Sequence, residues 1–207
     1  YWVEDFSKDL NFPWAITWLP NKDLLVTERL GKIKLIRNGK IISELEGVPE
    51  VMASSPFDGL LDIKIDPDFK TQPYIYLSYT KGTTTERVGV VYRAKIENNK
   101  LIEGKEIFNT SPPAPTGGPN ITRIQFLSDK SLVVAVGSSG QHAYGMVQRL
   151  DGDIGKIIRI YRDGTIPDDN ALAVKNPNAK PELWATGLRS VGGLTLDDNN
   201  QLWAVEM

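Results

Sequence analysis

Short apolar stretches alternate with turn-forming residues along the whole chain. Stretches such as LLVTE and KIIRIY are rich in β-branched residues and too short for stable helices, which indicates β-strands. The predicted strands are Trp2–Phe6, Ala15–Leu19, Leu24–Glu28, Ile33–Arg37, Lys40–Leu45, Leu61–Asp66, Tyr74–Tyr79, Val88–Ile96, Leu101–Phe108, Thr122–Phe126, Leu132–Val136, Lys156–Tyr161, Leu183–Ala185, Leu194–Leu196 and Leu202–Val205. Only Gln141–Leu150 has a pattern that could carry a helical turn. The chain is therefore predicted to be all-β.

The clearest local pattern covers residues 152–170, which read GDIGKIIRIYRDGTIPDDN. Lys156–Tyr161 has the composition of a buried strand, and Asp163-Gly164 supplies the residues that a tight turn needs. We expect the chain to return at Thr165-Ile166 and to close a β-hairpin.

Four segments share one plan, in which an apolar strand, a polar turn and a second apolar strand follow one another. They cover residues 15–28, 62–80, 123–137 and 193–206. They recur every 50 to 70 residues or so, a spacing typical of stacked four-stranded units with loops of variable length. This repetition favours a β-propeller over a sandwich or a barrel. The alternative is that the similarity arises by chance, because the strands of any all-β chain resemble one another.

Composition excludes several classes of function. The 207 residues suffice for one domain with a sizeable core, and a net charge of −2 argues against a nucleic-acid surface. No apolar run approaches the roughly 20 residues that a membrane span requires. The chain has no cysteine and a single histidine, which excludes thiolate sites and multi-histidine metal sites.

Five motifs, in order, resemble those of the soluble PQQ-dependent aldose (glucose/sorbosone) dehydrogenases. They lie in residues 11–36, 59–79, 116–118, 152–170 and 181–206. The resemblance implies a six-bladed β-propeller of four-stranded antiparallel blades. Residues 1–207 would then form a single domain, incomplete at its C-terminus, that holds roughly the first four blades. The resemblance also implies a periplasmic or secreted protein whose signal has been removed.

The same resemblance implies a reaction and its participants. In this family a histidine takes a proton from the C1 hydroxyl of a sugar while hydride passes to PQQ, and calcium assists. The implied partners are a sugar or another small polyol, and an electron-acceptor protein.

Three positions depart from the family motifs. Pro119 stands where the family has its catalytic histidine, and proline cannot accept a proton. Phe57 replaces a glutamine that contacts the cofactor, and Ser190 replaces an asparagine beside the retained Arg189. The family's calcium segment would lie beyond Met207, so the metal ligands are unknown.

The candidate cofactor-binding residues are therefore Arg189, Ser190, Gln148 and Gln141, and His142 is the candidate substitute base. For Arg189 the alternative is a loop arginine paired with a carboxylate. For the others the alternative is an ordinary polar position on a loop.

Other residues carry weaker hypotheses. Asp58 and Asp62 could form an acid–base pair, although a structural role in the turn is the favoured interpretation. The tryptophans could form a sugar-stacking platform, although packing between blades is favoured; they are Trp2, Trp14, Trp18, Trp184 and Trp203. Asn109 and Asn120 begin N-glycosylation patterns, which matter only in a eukaryotic secreted protein.

Two functions therefore stay open. The first is a quinone-dependent sugar dehydrogenase with a substitute base and a rearranged cofactor pocket. The second is a non-catalytic propeller that binds a carbohydrate or a protein.

Overall fold

The computed structural model describes residues 1–114, 120–137 and 145–206, and β-strands dominate it. The strands are β1 (Pro13–Trp18), β2 (Leu24–Glu28), β3 (Lys32–Arg37), β4 (Lys40–Glu44), β5 (Leu60–Ile65), β6 (Tyr74–Gly82), β7 (Arg87–Glu97), β8 (Lys100–Asn109), β9 (Asn120–Phe126), β10 (Leu132–Gly137), β11 (Lys156–Ile160), β12 (Leu183–Thr186), β13 (Val191–Leu196) and β14 (Leu202–Glu206). The one helix in these ranges is α1 (Ala171–Lys175), which has five residues. The all-β prediction is confirmed.

The strands form four antiparallel sheets in which neighbours in sequence are neighbours in space. Strands β1 to β4, β5 to β8 and β9 to β12 make three four-stranded sheets, and β13 pairs with β14 in a two-stranded sheet. The four predicted repeats correspond to the first two strands of each sheet. Local pairing follows from the short turns, because antiparallel strands joined by a few residues have little choice of partner.

The sheets stack on one another through their first strands. Strand β5 packs against β1 and β2 of the preceding sheet and against β9 of the following one, and β9 packs in turn against β13. Each first strand is therefore the innermost strand of its sheet. This stacking of consecutive meander sheets about inner strands is the architecture of a β-propeller.

Apolar side chains fill the two spaces between the first three sheets. The space between the first and second sheets is filled by a cluster that includes Leu25, Ile33, Ile63 and Leu77. The space between the second and third sheets is filled by Tyr76, Ile124, Val134, Ile158 and their neighbours. Side chains on both faces of a central strand are covered, which explains why β2, β10 and β11 read as continuous runs of buried residues.

The predicted hairpin at Lys156–Ile166 is only half correct. The turn forms, because the amide of Tyr161 donates to the carbonyl of Thr165 at 2.7 Å. The return strand does not form, and β11 pairs instead with β10 and with β12, which follows α1. Pro167 has no amide hydrogen that could bond a neighbouring strand. Asn170 holds the segment between β11 and α1 in place, because its side chain donates to the carbonyls of Arg159 and Pro181.

One further strand prediction was wrong. Trp2–Phe6 does not form a strand, and Trp2 is 85% exposed. A strand needs a neighbour to satisfy its backbone, and the described residues offer none there. In the predicted helical region, Gly145–Gln148 forms a turn, and the helix lies further along the chain, in α1. The earlier part of that region lies outside the described residues.

Candidate functional site

The starts of the innermost strands lie together at one end of the sheet stack. Two of the departures found in the sequence lie just before such starts, Phe57 before β5 and Ser190 before β13. Contacts between successive sheets are made near the starts of these strands, for example from Thr122 at the start of β9 to Val191 at the start of β13. We call this end of the stack the site end.

A β-bulge lies near the start of every innermost strand. The strand pairing shifts by one residue at Trp14 in β1, within Leu61-Asp62 in β5, at Thr122 in β9 and at Gly192 in β13. Bulges expose backbone groups that the ladder would otherwise use, and they occur frequently beside active sites. Nothing in the sequence marks three of the four positions; only the glycine in β13 is a usual signal.

The exposed backbone groups at the bulges are bonded by side chains of neighbouring sheets. Thr27 donates to the carbonyl of Leu61 at 2.7 Å, and Thr122 donates to that of Val191 at 2.7 Å. Asp62 accepts from the amide of Ile124 at 2.7 Å. Burial raises the pKa of Asp62, and the Ile124 amide opposes this rise. Each sheet is thereby linked to the next at the site end.

Arg29, in the turn after β2, fixes the segment before β5. Its Nη1 donates to the carbonyls of Ser55 at 2.6 Å and Asp58 at 3.2 Å. Gly59 has a φ of +122°, and a Cβ there would lie 2.1 Å from the carbonyl oxygen of Arg29. Glycine is required at this position because both the dihedral angle and the close approach exclude a side chain.

Two aromatic rings are exposed at the same place. Phe57 is 46% exposed, and Phe12, which precedes β1, is 59% exposed. The guanidinium carbon of Arg29 lies 5.2 Å from the centre of the Phe12 ring. Phe12 has a φ of +51°, which is unusual for a bulky residue and marks local backbone strain.

Asp58 and Asp62 do not act as a pair. The carboxylate of Asp58 faces Arg87, with 3.4 Å between Oδ2 and Nη2, whereas Asp62 faces the backbone of the third sheet. Both aspartates are buried, with exposures of 1% and 4%. Asp62 therefore has a structural role, as favoured from the sequence. Its carboxylate links the second and third sheets and does not cap a turn.

Lys156 organises the loop that carries Gln148. Its Nζ is fully buried and donates to the carbonyls of Ile154, Val147 and Met146 at 2.7, 3.0 and 3.1 Å. Burial lowers the pKa of this ammonium from 10.5 to about 8. The sequence placed Lys156 at the start of a buried strand, but it contained no signal for this loop-holding role.

The structure brings the Gln148 segment and the Arg189 segment together. The amide of Gly187 donates to the carbonyl of Val147 at 2.9 Å, and a Cβ on Gly187 would lie 3.0 Å from Nε2 of Gln148. Gln148 and Arg189 are both exposed. The backbone amide of Arg189 donates to Glu206 at 2.5 Å. Ser190 is partly buried and adjoins the bulged start of β13.

Several predicted positions lie outside the described residues. They are Pro119, Gln141 and His142. Their roles stay predictions. Within the described ranges, no group of three histidine, cysteine or acidic side chains could hold a metal ion.

The tryptophans do not form one platform. Trp14 and Trp184 are partly buried and pack against the clusters between sheets, as expected. Trp2, Trp18 and Trp203 are exposed by 85%, 51% and 57%, and packing between blades stays a prediction for them. Asn109, which begins one glycosylation pattern, is exposed at the end of β8.

Comparisons with known proteins agree with this architecture. The family model described as glucose/sorbosone dehydrogenase matches residues 10–207. The chain is 33% identical to the aldose sugar dehydrogenase YliI of Escherichia coli, over 99% of this chain and 56% of that protein. It therefore spans about half the length of the curated relatives it matches. No helix in the described ranges is long and apolar enough to cross a membrane.

Solved structures give the same result. The apo form of the soluble aldose sugar dehydrogenase from Escherichia coli matches with a TM-score of 0.90 and 31% identity, over 99% of this chain and 59% of that chain. The PQQ-bound form of the aldose sugar dehydrogenase from Streptomyces coelicolor matches with a TM-score of 0.78 and 29% identity, over 99% and 59% of the two chains.

Proposed function

The chain belongs to the glucose/sorbosone dehydrogenase family, and from that premise we propose that it carries part of the active site of a PQQ-dependent sugar dehydrogenase. The protein would oxidise a hydroxyl of an aldose or another polyol. One observation carries the proposal: the starts of β5, β9 and β13 share one end of the sheet stack with the loop that carries Gln148.

The residues at the site end suit an anionic quinone cofactor. Arg189 offers a guanidinium, Gln148 an amide and Ser190 a hydroxyl, and the first two are exposed. Such donors match quinone oxygens and carboxylates. Calcium is different, because no acidic cluster of the described residues could hold it, so we assign it no residue.

The bound quinone would supply the chemistry of accepting hydride. The chain's own residues would hold it in place. Arg189 and Gln148 would bind its oxygens, and Lys156 would keep the Gln148 loop in position through its three carbonyl contacts. The bulged start of β13, which Thr122 of β9 bonds at Val191, would present Arg189 and Ser190 at fixed geometry, which is what orientation of a cofactor requires.

A proton acceptor is also needed, and the sequence offers His142 as its one histidine. Its imidazole would take the proton of the sugar hydroxyl as hydride leaves the carbon. The reaction also needs an electron acceptor, which we expect to be a protein. A location outside the cytoplasm stays a prediction.

A second candidate function is a non-catalytic propeller that binds carbohydrate or protein. The residue at position 119 favours it, since proline has no side chain that could accept a proton. The exposed ring of Phe57, in place of a hydrogen-bonding side chain, favours it as well.

One experiment separates the two candidates. The whole protein is titrated with PQQ in the presence of Ca²⁺, and dye reduction is followed with a panel of aldoses. Micromolar or tighter PQQ binding with turnover would exclude the non-catalytic propeller, and absence of binding would exclude the dehydrogenase.

Two variants test the assigned residues. Arg189→Ala should weaken PQQ binding at least tenfold, because a charged contact is lost. Arg37→Ala is the matched control, because this arginine is also exposed but lies at the far end of β3. Equal PQQ affinities for the two variants would remove Arg189 from the site.

A further inference from the structure

One buried carboxylate joins two segments of the site end. Asp153, in the loop between β10 and β11, is fully buried. Its Oδ2 accepts from the amide of Ser111 at 2.7 Å, and its own amide donates to the carbonyl of Ser111 at 3.1 Å. Ser111 lies in the connection between β8 and β9, so one residue fixes this connection to the loop by two hydrogen bonds.

Both segments lead to positions of the candidate site. The loop carries Gln148, and the connection passes through position 119 to the start of β9. The start of β11 lies at the same end as the start of β9, because both pair with the end of β10. The location of Gln148 relative to β9 therefore depends on how the two segments are held together.

The remaining contacts of the connection are made by Ala114. Ala114 and Ile154 are each 2% exposed and form a small apolar cluster with Met146, on the loop side. On the other side, the amides of Ala114 and Arg87 each donate to the carbonyl of the other at 2.8 Å, which bonds the connection to the second sheet. Asp153 supplies the polar contact to the third sheet.

Lys180 and Glu182 form a cluster of charges with Asp153. Nζ of Lys180 lies 2.7 and 2.8 Å from the carboxylate oxygens of Asp153 and 2.6 Å from Oε1 of Glu182. The amide of Lys180 donates to the carbonyl of Leu150, so the lysine is bonded to the same loop. Two carboxylates share one ammonium, and the net negative charge in a buried place favours uptake of a proton.

The surroundings of Asp153 set the pH at which it is charged. Burial raises its pKa to about 6, Lys180 opposes the rise and Glu182 adds to it. Loss of the charge weakens the bond from the Ser111 amide, because hydrogen bonds to an ionised acceptor are about twice as strong as neutral ones. The other charged groups near Asp153 are the buried Lys156, and Arg149 and Asp151, which bond each other.

We propose that Asp153 is a positioning residue of the candidate site, whose ionised carboxylate holds the connection to β9 against the loop that carries Gln148 and whose protonation loosens it. The inference rests on the proposed function for the cofactor that these segments would bind. It goes beyond that function because it gives a pH-dependent role to a buried residue outside the cofactor-binding set.

Hydrogen exchange tests the contact without any cofactor. The protection factor of the Ser111 amide is measured by NMR in the whole protein from pH 5 to pH 7.5. We expect wild-type protection to fall about tenfold as the pH falls through about 6. Asp153→Asn keeps the shape of the side chain without the charge, so its protection should be about tenfold lower at pH 7.5 and independent of pH.

Lys180→Met gives a readout that a general loss of stability would not move. Without the ammonium, Asp153 would take up its proton more readily, so the midpoint of the protection profile should move to higher pH. Lys180→Arg keeps the charge and should restore the wild-type midpoint. These two variants carry the test if Asp153→Asn does not fold.

Binding of PQQ connects the contact to the site, with Asp66→Asn as the matched control. Asp66 is also buried and accepts from a backbone amide and from Arg162, but it lies between β5 and β6, at the other end of the sheets. At pH 7.5, Asp153→Asn should bind PQQ about threefold or more weakly than the control, because affinity falls with the fraction of molecules in the competent arrangement.

The outcomes distinguish this inference from the proposed function. A wild-type protection profile without a midpoint, or an unmoved midpoint in Lys180→Met, would overturn the inference. Equal PQQ affinities of Asp153→Asn and Asp66→Asn would overturn it as well. If the wild type binds no PQQ, the dehydrogenase is rejected, and the protection profiles alone decide whether Asp153 holds the two segments together.

Discussion

Replacing Lys156 with methionine tests how a buried cation holds the loop of the candidate site. The variant keeps the apolar stem and removes the ammonium that bonds the carbonyls of Met146, Val147 and Ile154. Two effects oppose each other. Buried carbonyls that lose their partner cost about 1 to 3 kcal/mol each, whereas removal of a buried charge recovers its desolvation penalty.

The pKa of Lys156 gives the size of that penalty. The pKa falls from 10.5 in the unfolded chain to about 8 in the fold, because burial disfavours the charged form. This difference corresponds to about 3 kcal/mol at neutral pH. The three carbonyls together cost about 3 to 9 kcal/mol, so the net loss of stability in Lys156→Met should be about 0 to 6 kcal/mol at pH 7.

The dependence on pH is more decisive than the loss at one pH. Because the folded state binds this proton more weakly than the unfolded state, the wild type gains stability as pH rises from 8 towards 10.5. The wild-type advantage over Lys156→Met should grow by about 2 kcal/mol between pH 8 and pH 10. The raised pKa values of Tyr76 and Tyr79 affect both proteins equally and cancel in the difference.

Urea unfolding of both proteins at pH 7, 8, 9 and 10 measures this difference. Lys34→Met is the control, because Glu44 raises the pKa of Lys34, so its contribution does not grow with pH. If the difference in unfolding free energy between wild type and Lys156→Met stayed constant across pH 8 to 10, the pKa of Lys156 would not be lowered in the fold. That result would refute the argument that burial dominates this pKa over the three carbonyls.

Three further substitutions test the links that hold the sheets together. Asp62→Ala should lower the free energy of unfolding by about 2 to 5 kcal/mol, because the buried amides of Ile63 and Ile124 lose their acceptor. Ser78→Ala is the control and should cost less, because it removes only the hydroxyl that accepts from the Asp62 amide. Arg162→Ala should cost about 2 kcal/mol in denaturant unfolding, because it removes bonds to Asp66 and Asp68 between the second and third sheets; an unchanged midpoint would contradict this link. Gly59→Ala should cost about 3 kcal/mol or more in thermal unfolding, through positive φ and the clash with Arg29, whereas Gly192→Ala, where a Cβ meets nothing within 4 Å, should cost much less.

The candidate site was only partly predictable from the sequence. The resemblance singled out Arg189, Ser190 and Gln148, and the structure brings the segments that carry them together. The sequence could not indicate that Arg87 faces Asp58, because Arg87 begins β7 whereas Asp58 lies in the segment before β5. A long side chain at the end of a strand can reach several partners, and only the folded backbone decides among them.

The sequence by itself determined the strands, their turns and the repetition of the sheets. These features depend on local physics, since alternation of apolar residues, turn chemistry and short connections act within a few residues of each other. That is why the pairs β1 to β2, β5 to β6, β9 to β10 and β13 to β14 were anticipated.

Only the tertiary structure decided the long-range contacts. It placed β12 beside β11 where a hairpin strand was expected, and it directed Lys156 to three loop carbonyls. It also set the bulges that turn the starts of the innermost strands towards one another. These arrangements arise from the stacking of whole sheets, which joins residues far apart in the chain whose pairing no local pattern encodes.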